Sequence, residues 1–337
     1  MIDTSKFMIT TRLLVEEAIR KGYSISTMVS RPSAKSYAIR CEKGGKVFYF
    51  KGLCTALSPS YAVFMANDKV LTRDVLGCHG VPMPATTVVS LSDSAYEATD
   101  KIVSFLREHG RLVVKPAMAN HGRGITVDVR DEDDLRKAID MAYREDNSPD
   151  IVVQQMVFGR EYRFLVLNGE VLAVAYRRPA FVAGNGKSTI RELIEEKNLD
   201  PRRGEGHSAA LTKINIEHVV NSNPRGFLDD IPDAGVEVDV LQTSNLSRGG
   251  ESIDVTDQVS IGLKDIAIRA AQACSLGIAG VDIITEDITT GDDSNSYVLE
   301  VNASPGIRMH QFPSVGTPRD VARELFAAIE KTAQPLE

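Results

Sequence analysis

Two apolar, strand-like runs near the C-terminal end carry oxygen-bearing side chains, and they constrain the fold more than any other feature. The run GIAGVDIIT contains Asp282, and the run YVLEVNASPGIRMH contains Glu300 and Asn302. Successive residues of a strand point to opposite faces, so Val298, Glu300 and Asn302 are expected on one side of the second strand. If the two runs pair, carboxylate and amide oxygens project together.

These side chains offer only hard oxygen ligands, which suit magnesium and poorly suit zinc or copper. The pattern predicts a magnesium site between Asp282, Glu300, Asn302 and the phosphates of a nucleotide. The alternative is that Glu300 is a solvated charge at a rim, and that Asn302 begins a turn into the following Ser-Pro-Gly sequence. Spacing alone leaves both interpretations open.

The length and composition are those of a globular protein with more than one lobe. A chain of 337 residues is enough for two or three lobes, because single cores stop growing near roughly 250 to 300 residues. Its 43% apolar and 25% charged residues argue against disorder. With 39 basic and 46 acidic residues the net charge is −7, which repels a phosphate backbone and argues against nucleic acid as a partner.

The four cysteines, at positions 41, 54, 78 and 274, show neither CxxC spacing nor a clustered framework. They indicate a reducing compartment rather than disulfides or zinc. No apolar run approaches the roughly 18 residues of a membrane span. We therefore expect a soluble, cytoplasmic protein without a membrane partner.

Residues 1–80 are predicted to form an N-terminal mixed α/β lobe. Its last helix is expected to be capped by Asn67 or Asp68. Lys69 then lies in the first turn, where a cation is poorly placed for the helix dipole. It is either an ordinary exposed lysine or a residue kept to meet an anion.

Residues 81–158 follow the order strand, helix, strand, loop, strand, helix, strand, which predicts a compact α+β lobe. Between the central strands lies AMANHGRGIT, where Gly122 and Gly124 permit positive φ and close approach of backbone amides to phosphate. Lys115, at the end of the preceding strand, could add a positive charge. The alternative is that these glycines mark only a hairpin turn.

Residues 159–337 are predicted to form a third lobe. Asn168 and Gly169 give a strong hairpin signal between two strand-like runs. Residues 197–256 show short β-like pieces such as Val236 to Val240 but no clear elements, and a connection of this length is more often functional than idle. It contains RGEGHSAALTKI and TSNLSRGGESIDVTD, both basic and glycine-bearing in an acidic chain.

Eight stretches, in order, resemble motifs of the ATP-grasp carboxylate–amine ligase family. They are NDKVLTRDVL, VVKPAMANHGRGITVDV, GREYRFLVLNGEVLAVAYRRPA, GNGKSTIRELI, RGEGHSAALTKI, SNLSRGGESIDVTD, LGIAGVDIIT and LEVNASPGIRMHQFPSVGTPRDVA. They are most similar to the ATP-grasp domain of cyanophycin synthetases and to the glutathione synthetase half of bifunctional glutathione enzymes. The resemblance implies an α+β ATP-grasp fold, in which a small N-terminal lobe precedes two α+β lobes that sandwich ATP.

The resemblance also implies the nucleotide and metal contacts. The implied ATP contacts are Lys69, Lys115, the cover loop Asn120, His121, Gly122, Arg123 and Gly124, the hinge residues Gln155, Met156 and Val157, and the ribose ligand Glu161. The implied magnesium ligands are Asp282, Glu300 and Asn302, which would hold two ions.

The substrate contacts are implied in the same way. Arg178 and Arg308 would hold the substrate carboxylate or its phosphorylated form, because a fork of donors suits a planar anion. His121 is predicted to accept the proton of the amine, since imidazole titrates near neutrality. The alternatives are that His121 only shapes its loop and that Arg178 is a surface charge. The implied substrate-binding residues are Arg163, Asn245, Ser247, Arg248, Gly249, Gly250 and Arg308.

The chain departs from the family pattern at two places. Arg248 stands where relatives have a small hydroxyl residue, which would add positive charge to the acceptor pocket. Gln154 and Gln155 stand where an acid is common in the hinge. The second ligase domain of cyanophycin enzymes and the glutamate–cysteine ligase half of glutathione enzymes are absent, so a stand-alone ligase that makes one amide bond is expected.

The predicted function is ATP-dependent joining of an amino-acid or peptide carboxylate to an amine through an acyl phosphate. The alternatives are a small-molecule kinase and a nucleotide-binding regulatory module without turnover. The expected partners are small amino-acid or peptide substrates and, by resemblance, further copies of the chain in a dimer or tetramer.

Overall fold

The chain folds as α+β, as predicted. The computed structural model describes residues 3–29, 37–90, 95–118, 123–146, 150–206, 209–222, 226–241 and 243–336. Within them lie two four-stranded sheets, one five-stranded sheet and two two-stranded sheets. The predicted cover-loop residues Asn120, His121 and Gly122 lie outside the described residues.

The N-terminal region combines a small antiparallel sheet with three helices. Its elements are α1 (Ile9–Arg20), β1 (Ser24–Val29), β2 (Tyr37–Lys43), β3 (Lys46–Phe50), α2 (Ser60–Asn67) and α3 (Lys69–Cys78). The side chain of Asp68 accepts hydrogen bonds from the first-turn amides of Val70 and Leu71, so Asp68 is the cap of α3.

The central region is a four-stranded antiparallel sheet with two helices. Its elements are β4 (Thr86–Ser90), α4 (Ala95–His109), β5 (Leu112–Pro116), β6 (Thr126–Val129), α5 (Glu132–Asp146) and β7 (Asp150–Gln155). The strand order is β4-β7-β5-β6. Apolar residues such as Ile102, Leu112 and Val153 form a separate core there.

The C-terminal region contains the largest sheet and a small inserted unit. Its strands are β8 (Arg160–Leu167), β9 (Glu170–Arg178), β10 (Phe181–Ala183), β11 (Arg203–Gly204), β12 (Leu211–Thr212), β13 (Glu237–Asp239), β14 (Glu251–Asp254), β15 (Ile278–Thr285), β16 (Ser296–Asn302) and β17 (Gln334–Pro335). Its helices are α6 (Ile190–Lys197), α7 (Ile216–Ser222), α8 (Ile261–Ala273), α9 (Arg308–Gln311) and α10 (Val321–Glu330).

The two ends of the chain share one core. β17 pairs with β3 as the fourth strand of the N-terminal sheet. Phe326 of α10 packs edge-to-face on Phe48 of β3, with ring centroids 5.7 Å apart. The division at residues 80 and 158 stays a prediction, and the first lobe is completed by the last residues of the chain.

The five-stranded sheet, in the order β14-β9-β8-β15-β16, has two chemically different faces. The apolar face, defined by Phe164, Val174, Val281, Ile283 and Val301, packs against α8 in a continuous core. The site face carries Glu161, Arg163, Arg177, Asp282 and Glu300, because each of these alternates with a residue of the apolar face.

The prediction that Val298 shares a face with Glu300 and Asn302 is wrong. Asp282 pairs with Glu300, but the next residue, Ile283, pairs with Val298, so Leu299 is an extra residue in the strand. Such a β-bulge reverses the face of every residue beyond it. Val298 therefore lies in the core of the apolar face.

Residues 197–256, predicted as a connection without clear elements, contain several short ones. Strands β11 to β14 and helix α7 lie in this range. Val182, Ile194, Val219 and Val240 belong to a small core of their own. Elements of two to seven residues are too short to show a periodic sequence pattern.

Candidate functional site

Asp282 lies at the centre of the site face, with one predicted site residue on each side. In the strand register it stands opposite Glu300 on β16 and opposite Arg163 on β8. Gly280 makes the close packing possible. A Cβ atom there would lie 2.6 Å from Cβ of Pro305 and 3.1 Å from Cδ of Arg163, closer than real side chains allow.

Two arginines hold the Asp282 carboxylate, which is 2% exposed. Arg163 donates to both oxygens through Nε and Nη2, the latter at 2.8 Å from Oδ2. Arg177 donates through Nη1 to the same Oδ2 at 2.9 Å. Burial alone would raise the pKa of Asp282, but the two guanidinium groups outweigh it and hold that pKa below its usual range.

Glu300 and Asn302 offer the oxygens that Asp282 does not. Glu300 forms no ion pair and accepts no side-chain hydrogen bond from the part of the chain that the structure describes. The amide nitrogen of Asn302 donates to the Gly280 carbonyl at 3.3 Å, which leaves the amide oxygen for another partner. The described residues contain no group of three or more His, Cys, Asp or Glu side chains that could hold a metal ion. The predicted ligand set is not of that kind, because it consists of two carboxylates and one amide.

Lys69 and Lys115 meet Glu300 in one pocket between the central sheet and β16. Gln154 and Val298 also line this pocket. Lys115 is buried, and burial lowers its pKa to about 8. The nearby Lys69 lowers it further, whereas Glu300 raises it. Burying a lysine with incomplete compensation is costly, so the pocket is electrostatically suited to a polyanion.

The hinge residues lie where the central lobe passes into β8. The backbone amide of Gln155 donates to the Ala85 carbonyl at 2.8 Å, and that of Met156 donates to the Arg111 carbonyl at 2.8 Å. Both amides are thus already used within the chain. The backbone amide of Val157 makes no such bond to the described residues, so it remains for an adenine contact.

Glu161, the predicted ribose ligand, lies on the site face beside Arg177. It accepts hydrogen bonds from the guanidinium of Arg177 and from the hydroxyl of Ser244. Gly159, two residues earlier, has φ +138°, and a Cβ atom there would lie 2.6 Å from the Thr285 backbone. This close approach requires glycine at the entrance to β8.

The predicted cover loop is described only at its end. Gly124 has φ +68°, and a Cβ atom there would lie 2.9 Å from Cβ of Glu145. The guanidinium of Arg123 lies 3.1 Å from a Glu145 carboxylate oxygen. These contacts fix the end of the loop on α5, and its phosphate-binding role stays a prediction.

The structure brings Arg177, not the predicted Arg178, to the site face. Arg178 points to the opposite face, where it pairs with Glu237 at 2.7 Å and stacks on the ring of Phe181. A β-bulge at Leu172 is the cause, because Val166 pairs with Val171 but Leu165 pairs with Ala173. Without the extra residue, Arg178 would lie on the same face of the sheet as Glu161.

Arg308, at the start of α9, is a buried cation without a carboxylate partner in the described part of the chain. It is 5% exposed and donates to the carbonyls of Gly206 and Ala209 at 3.0 and 3.2 Å and to the hydroxyl of Thr212 at 3.0 Å. Burial lowers its pKa. A desolvated guanidinium held by neutral acceptors is prepared for an anion.

The predicted substrate segment, residues 244–250, contacts Arg177 and packs against Ile214 and the backbone of Arg178. The side-chain oxygen of Asn245 accepts from Nη2 of Arg177 at 3.3 Å. Gly249 has φ +99°, and a Cβ atom there would meet Ile214 at 2.7 Å. A Cβ atom on Gly250 would lie 3.0 Å from the Arg178 carbonyl. The tight packing of Gly249 and Gly250 therefore fixes the position of the preceding residues, Ser247 and Arg248.

Sequence reasoning missed three buried polar residues beside the site. His310 is 2% exposed, and neither ring nitrogen has a hydrogen-bond partner among the described residues. Burial, reinforced by Arg163, lowers the pKa of His310 to about 3. The Ser252 hydroxyl and Nε of Arg177 also lack partners in the described residues. No sequence pattern signals an unpaired polar atom, because pairing depends on contacts made across the fold.

A nucleotide-binding architecture of the ATP-grasp class is defined by Lys69 on α3, Lys115 on the central sheet and the oxygen ligands of the C-terminal sheet. Family comparisons agree with this. Residues 83–195 match the ATP-grasp domain of prokaryotic glutathione synthetase, and residues 239–329 match the RimK-like ATP-grasp domain. The chain belongs to the ATP-grasp family.

Individual relatives and one solved structure support this assignment. The chain is 37% identical over 317 residues to cyanophycin synthetase of Trichormus variabilis, covering 93% of this chain and 34% of that protein. It is 34% identical over 326 residues to the bifunctional glutathione biosynthesis protein GshAB of Clostridium perfringens, covering 94% and 40%. A bifunctional glutathione synthetase from Pasteurella multocida superposes with a TM-score of 0.70 at 28% identity, covering 97% of this chain and 45% of that one.

The chain therefore spans between a third and a half of the length of these relatives. ATP-grasp ligases in general use ATP and magnesium and form C–N bonds. No helix in the described ranges is long and apolar enough to cross a bilayer.

Proposed function

We propose that this chain is an ATP-dependent ligase that joins an amino-acid or peptide carboxylate to an amine, releasing ADP and phosphate. The observation that carries the proposal is the placement of Lys69, Lys115 and Glu300 around one pocket, with Asp282 opposite Glu300 in the strand register. Cations for phosphate and oxygens for a metal thus meet at one edge of the site face. This is the arrangement that transfer of a phosphoryl group needs.

The residues present fit ATP and magnesium. Lys69 and Lys115 would hold phosphates, and Asp282, Glu300 and Asn302 would hold magnesium. Magnesium supplies positive charge that offsets the charge gathering on the transferring phosphoryl group. The oxygens of Glu300 and Asn302, two half-buried residues, fit this directly, whereas Asp282 has to share an oxygen that arginine now uses.

The acid substrate would bind at Arg308, the buried guanidinium without a carboxylate partner in the described residues. A carboxylate oxygen of the substrate attacks the γ-phosphorus of ATP, the bond to the bridging oxygen breaks, and ADP leaves. The amine nitrogen then attacks the carbonyl carbon of the acyl phosphate, phosphate leaves, and the nitrogen gives up one proton. Water has to be excluded meanwhile, since it would hydrolyse the acyl phosphate.

Phosphate release from ATP and magnesium, measured against a panel of acids and amines, tests the proposal. We expect release to need both an acid and an amine and to yield an amide detectable by mass. Release that needs one substrate would indicate a kinase, and none across a broad panel would favour a nucleotide-binding module. Glu300→Gln should lower the release about 10²-fold or more, and Glu170→Gln, at the exposed hairpin end of β9, serves as the matched control.

The remaining predictions have their own tests. His121 as the base is contradicted if His121→Ala keeps activity within about twofold of the parent, less than the loss expected for a general base. A dimer or tetramer can be checked by sedimentation, and the cytoplasmic location by fractionation of cells.

A further inference from the structure

Arg177 contacts one residue from each of the three predicted groups of the site. Its Nη1 donates to Asp282 of the metal set and to Glu161 at the predicted ribose position. Its Nη2 donates to Asn245 of the substrate segment. Among the described residues no other side chain bridges all three groups.

Arg177 is bound to Asp282 less completely than Arg163 is. Arg163 binds both oxygens of Asp282 and is packed against the Cα of Gly280. Arg177 shares one oxygen, Oδ2, with Arg163, reaches Asn245 only at 3.3 Å, and keeps a buried Nε without a partner in the described residues. If the guanidinium of Arg177 had only a structural role, its buried Nε donor would be expected to have a hydrogen-bond partner.

The carboxylates that neutralise Arg177 are ones that the proposed ligands would also use. Arg163 and Arg177 bring two positive charges, and Asp282 and Glu161 bring two negative ones. If Asp282 turns an oxygen to a magnesium ion and Glu161 turns to ribose, Arg177 loses both of its carboxylates. A buried guanidinium left in this way attracts another anion.

We propose that Arg177 couples nucleotide binding to acid binding, because Asp282 and Glu161 hold it until magnesium and nucleotide release it to the substrate carboxylate. This inference rests on the proposed function. Arg163 keeps Asp282 oriented throughout, so of the bonds to Asp282 only the one from Arg177 to Oδ2 has to break. Binding of the metal–nucleotide complex and of the anion then strengthen each other equally, as linkage requires.

Calorimetry with magnesium–ADP, and with inorganic phosphate as the anion, tests the coupling. In the parent chain we expect magnesium–ADP to strengthen phosphate binding about tenfold, within the usual range of coupling between sites. Arg177→Met should lose this gain. It should also bind magnesium–ADP about threefold or more tightly, because Asp282 and Glu161 no longer have to exchange a partner. If Arg177 had only a structural role, Arg177→Met would instead weaken magnesium–ADP binding.

Two further variants make the result interpretable. Arg177→Lys keeps a positive charge for folding but cannot reach both carboxylates as a fork, so it should lose most of the phosphate gain. Arg269→Met is the matched control, since Arg269 also bridges two carboxylates, Asp265 and Asp293, away from the site. It should leave both affinities at the parental values.

The outcomes separate the two proposals. A parent chain that does not bind magnesium–ADP overturns the proposed function, and the coupling with it. A parent chain that binds magnesium–ADP, but binds phosphate equally well with and without it, overturns only the coupling. Weaker magnesium–ADP binding by Arg177→Met and Arg177→Lys does the same.

Discussion

The apolar face and the site face of the five-stranded sheet are built from the same strands but differ in how completely their groups are satisfied. On the apolar face Phe164, Val281 and Val301 are fully buried in one continuous core. On the site face Asp282 shares its oxygens between two arginines, and the buried His310 has no hydrogen-bond partner in the described residues. One face stabilises the fold, and the other keeps polar groups that cost stability.

This difference indicates where the chain retains groups for a ligand. Burying a polar atom without a partner costs about 1–3 kcal/mol, and an apolar side chain of similar shape would avoid that cost. Groups that destabilise the unliganded fold and cluster around Asp282 are therefore expected to be satisfied in the liganded protein. Substitutions on the two faces should then have effects of different kinds.

The largest effect is expected on the apolar face. Phe164→Ala removes a fully buried ring and should lower the free energy of unfolding by about 3–5 kcal/mol. Chemical denaturation measures this loss. Phe64→Ala, at a ring that is 64% exposed, should change the value by less than about 0.5 kcal/mol. Equal losses in the two variants would mean that the apolar face is not the main source of stability.

On the site face, the charge of Glu300 should affect the activity but not the free energy of unfolding. Glu300→Gln is expected to lower kcat/KM for phosphate release on the order of 10²- to 10³-fold, because a group that meets developing charge is lost. Its unfolding free energy should change by less than about 0.5 kcal/mol, since Glu300 forms no ion pair with the described residues. Denaturation of the same sample provides that check. A large loss of stability would show that Glu300 is structural.

The sequence predicted this division of the sheet in outline, because period-two alternation shows which residues share a face. It failed where a bulge adds one residue. The extra Leu299 moves Val298 to the apolar face. Arg178 was assigned by family resemblance, and the extra Leu172 places Arg177 on the site face in its stead. A bulge depends on how neighbouring strands twist and pack, and it leaves no periodic signal. Asp282, Glu300 and Asn302 were found because no bulge separates them from their partners across the sheet.

Resemblance to a family supplied what alternation could not, namely that Lys69, Lys115 and Glu300, one from each region of the chain, meet in one pocket. Nothing in the spacing of these residues joins them. The same resemblance did not point to Arg177, His310 or Ser252. Their part in the site depends on burial and on unused hydrogen-bonding atoms, which appear only when the chain is folded.

A rise in pH is expected to change the affinity for magnesium–ADP about tenfold. We assign this effect to Lys115, because the apolar residues around it do not titrate. Burial lowers the pKa of Lys115 to about 8, with Glu300, Glu161 and Lys69 as the charged neighbours. Above pH 8 the free chain loses this ammonium, so affinity for magnesium–ADP should fall by up to about tenfold per pH unit. Calorimetry between pH 7 and pH 9.5 measures the slope. Lys115→Arg should remove it, and a slope that persists in that variant would assign it to another group.

The lowered pKa of Lys115 also determines whether the free energy of unfolding rises or falls with pH. The unfolded lysine keeps its proton up to its ordinary pKa of 10.5, so between pH 8 and 10.5 the unfolded chain binds more protons than the folded one. This contribution makes the free energy of unfolding rise with pH in that window. Nucleotide affinity and stability should thus move in opposite directions, as expected for a charge that is costly to bury and is kept to bind phosphate.

The smallest expected effect compares two fully buried serines. The Ser296 hydroxyl on β16 donates to the side-chain oxygen of Asn295 at 2.9 Å and lies 3.0 Å from the Thr285 hydroxyl, which can donate to it. The Ser252 hydroxyl, in contrast, has no partner in the described residues. Ser296→Ala should lower the free energy of unfolding by about 1 kcal/mol, and Ser252→Ala should leave it unchanged or raise it by up to about 1 kcal/mol. Denaturant midpoints resolve this difference. If Ser252→Ala destabilises the unliganded chain as much as Ser296→Ala does, Ser252 is already satisfied there, and the site face is not holding that hydroxyl for a ligand.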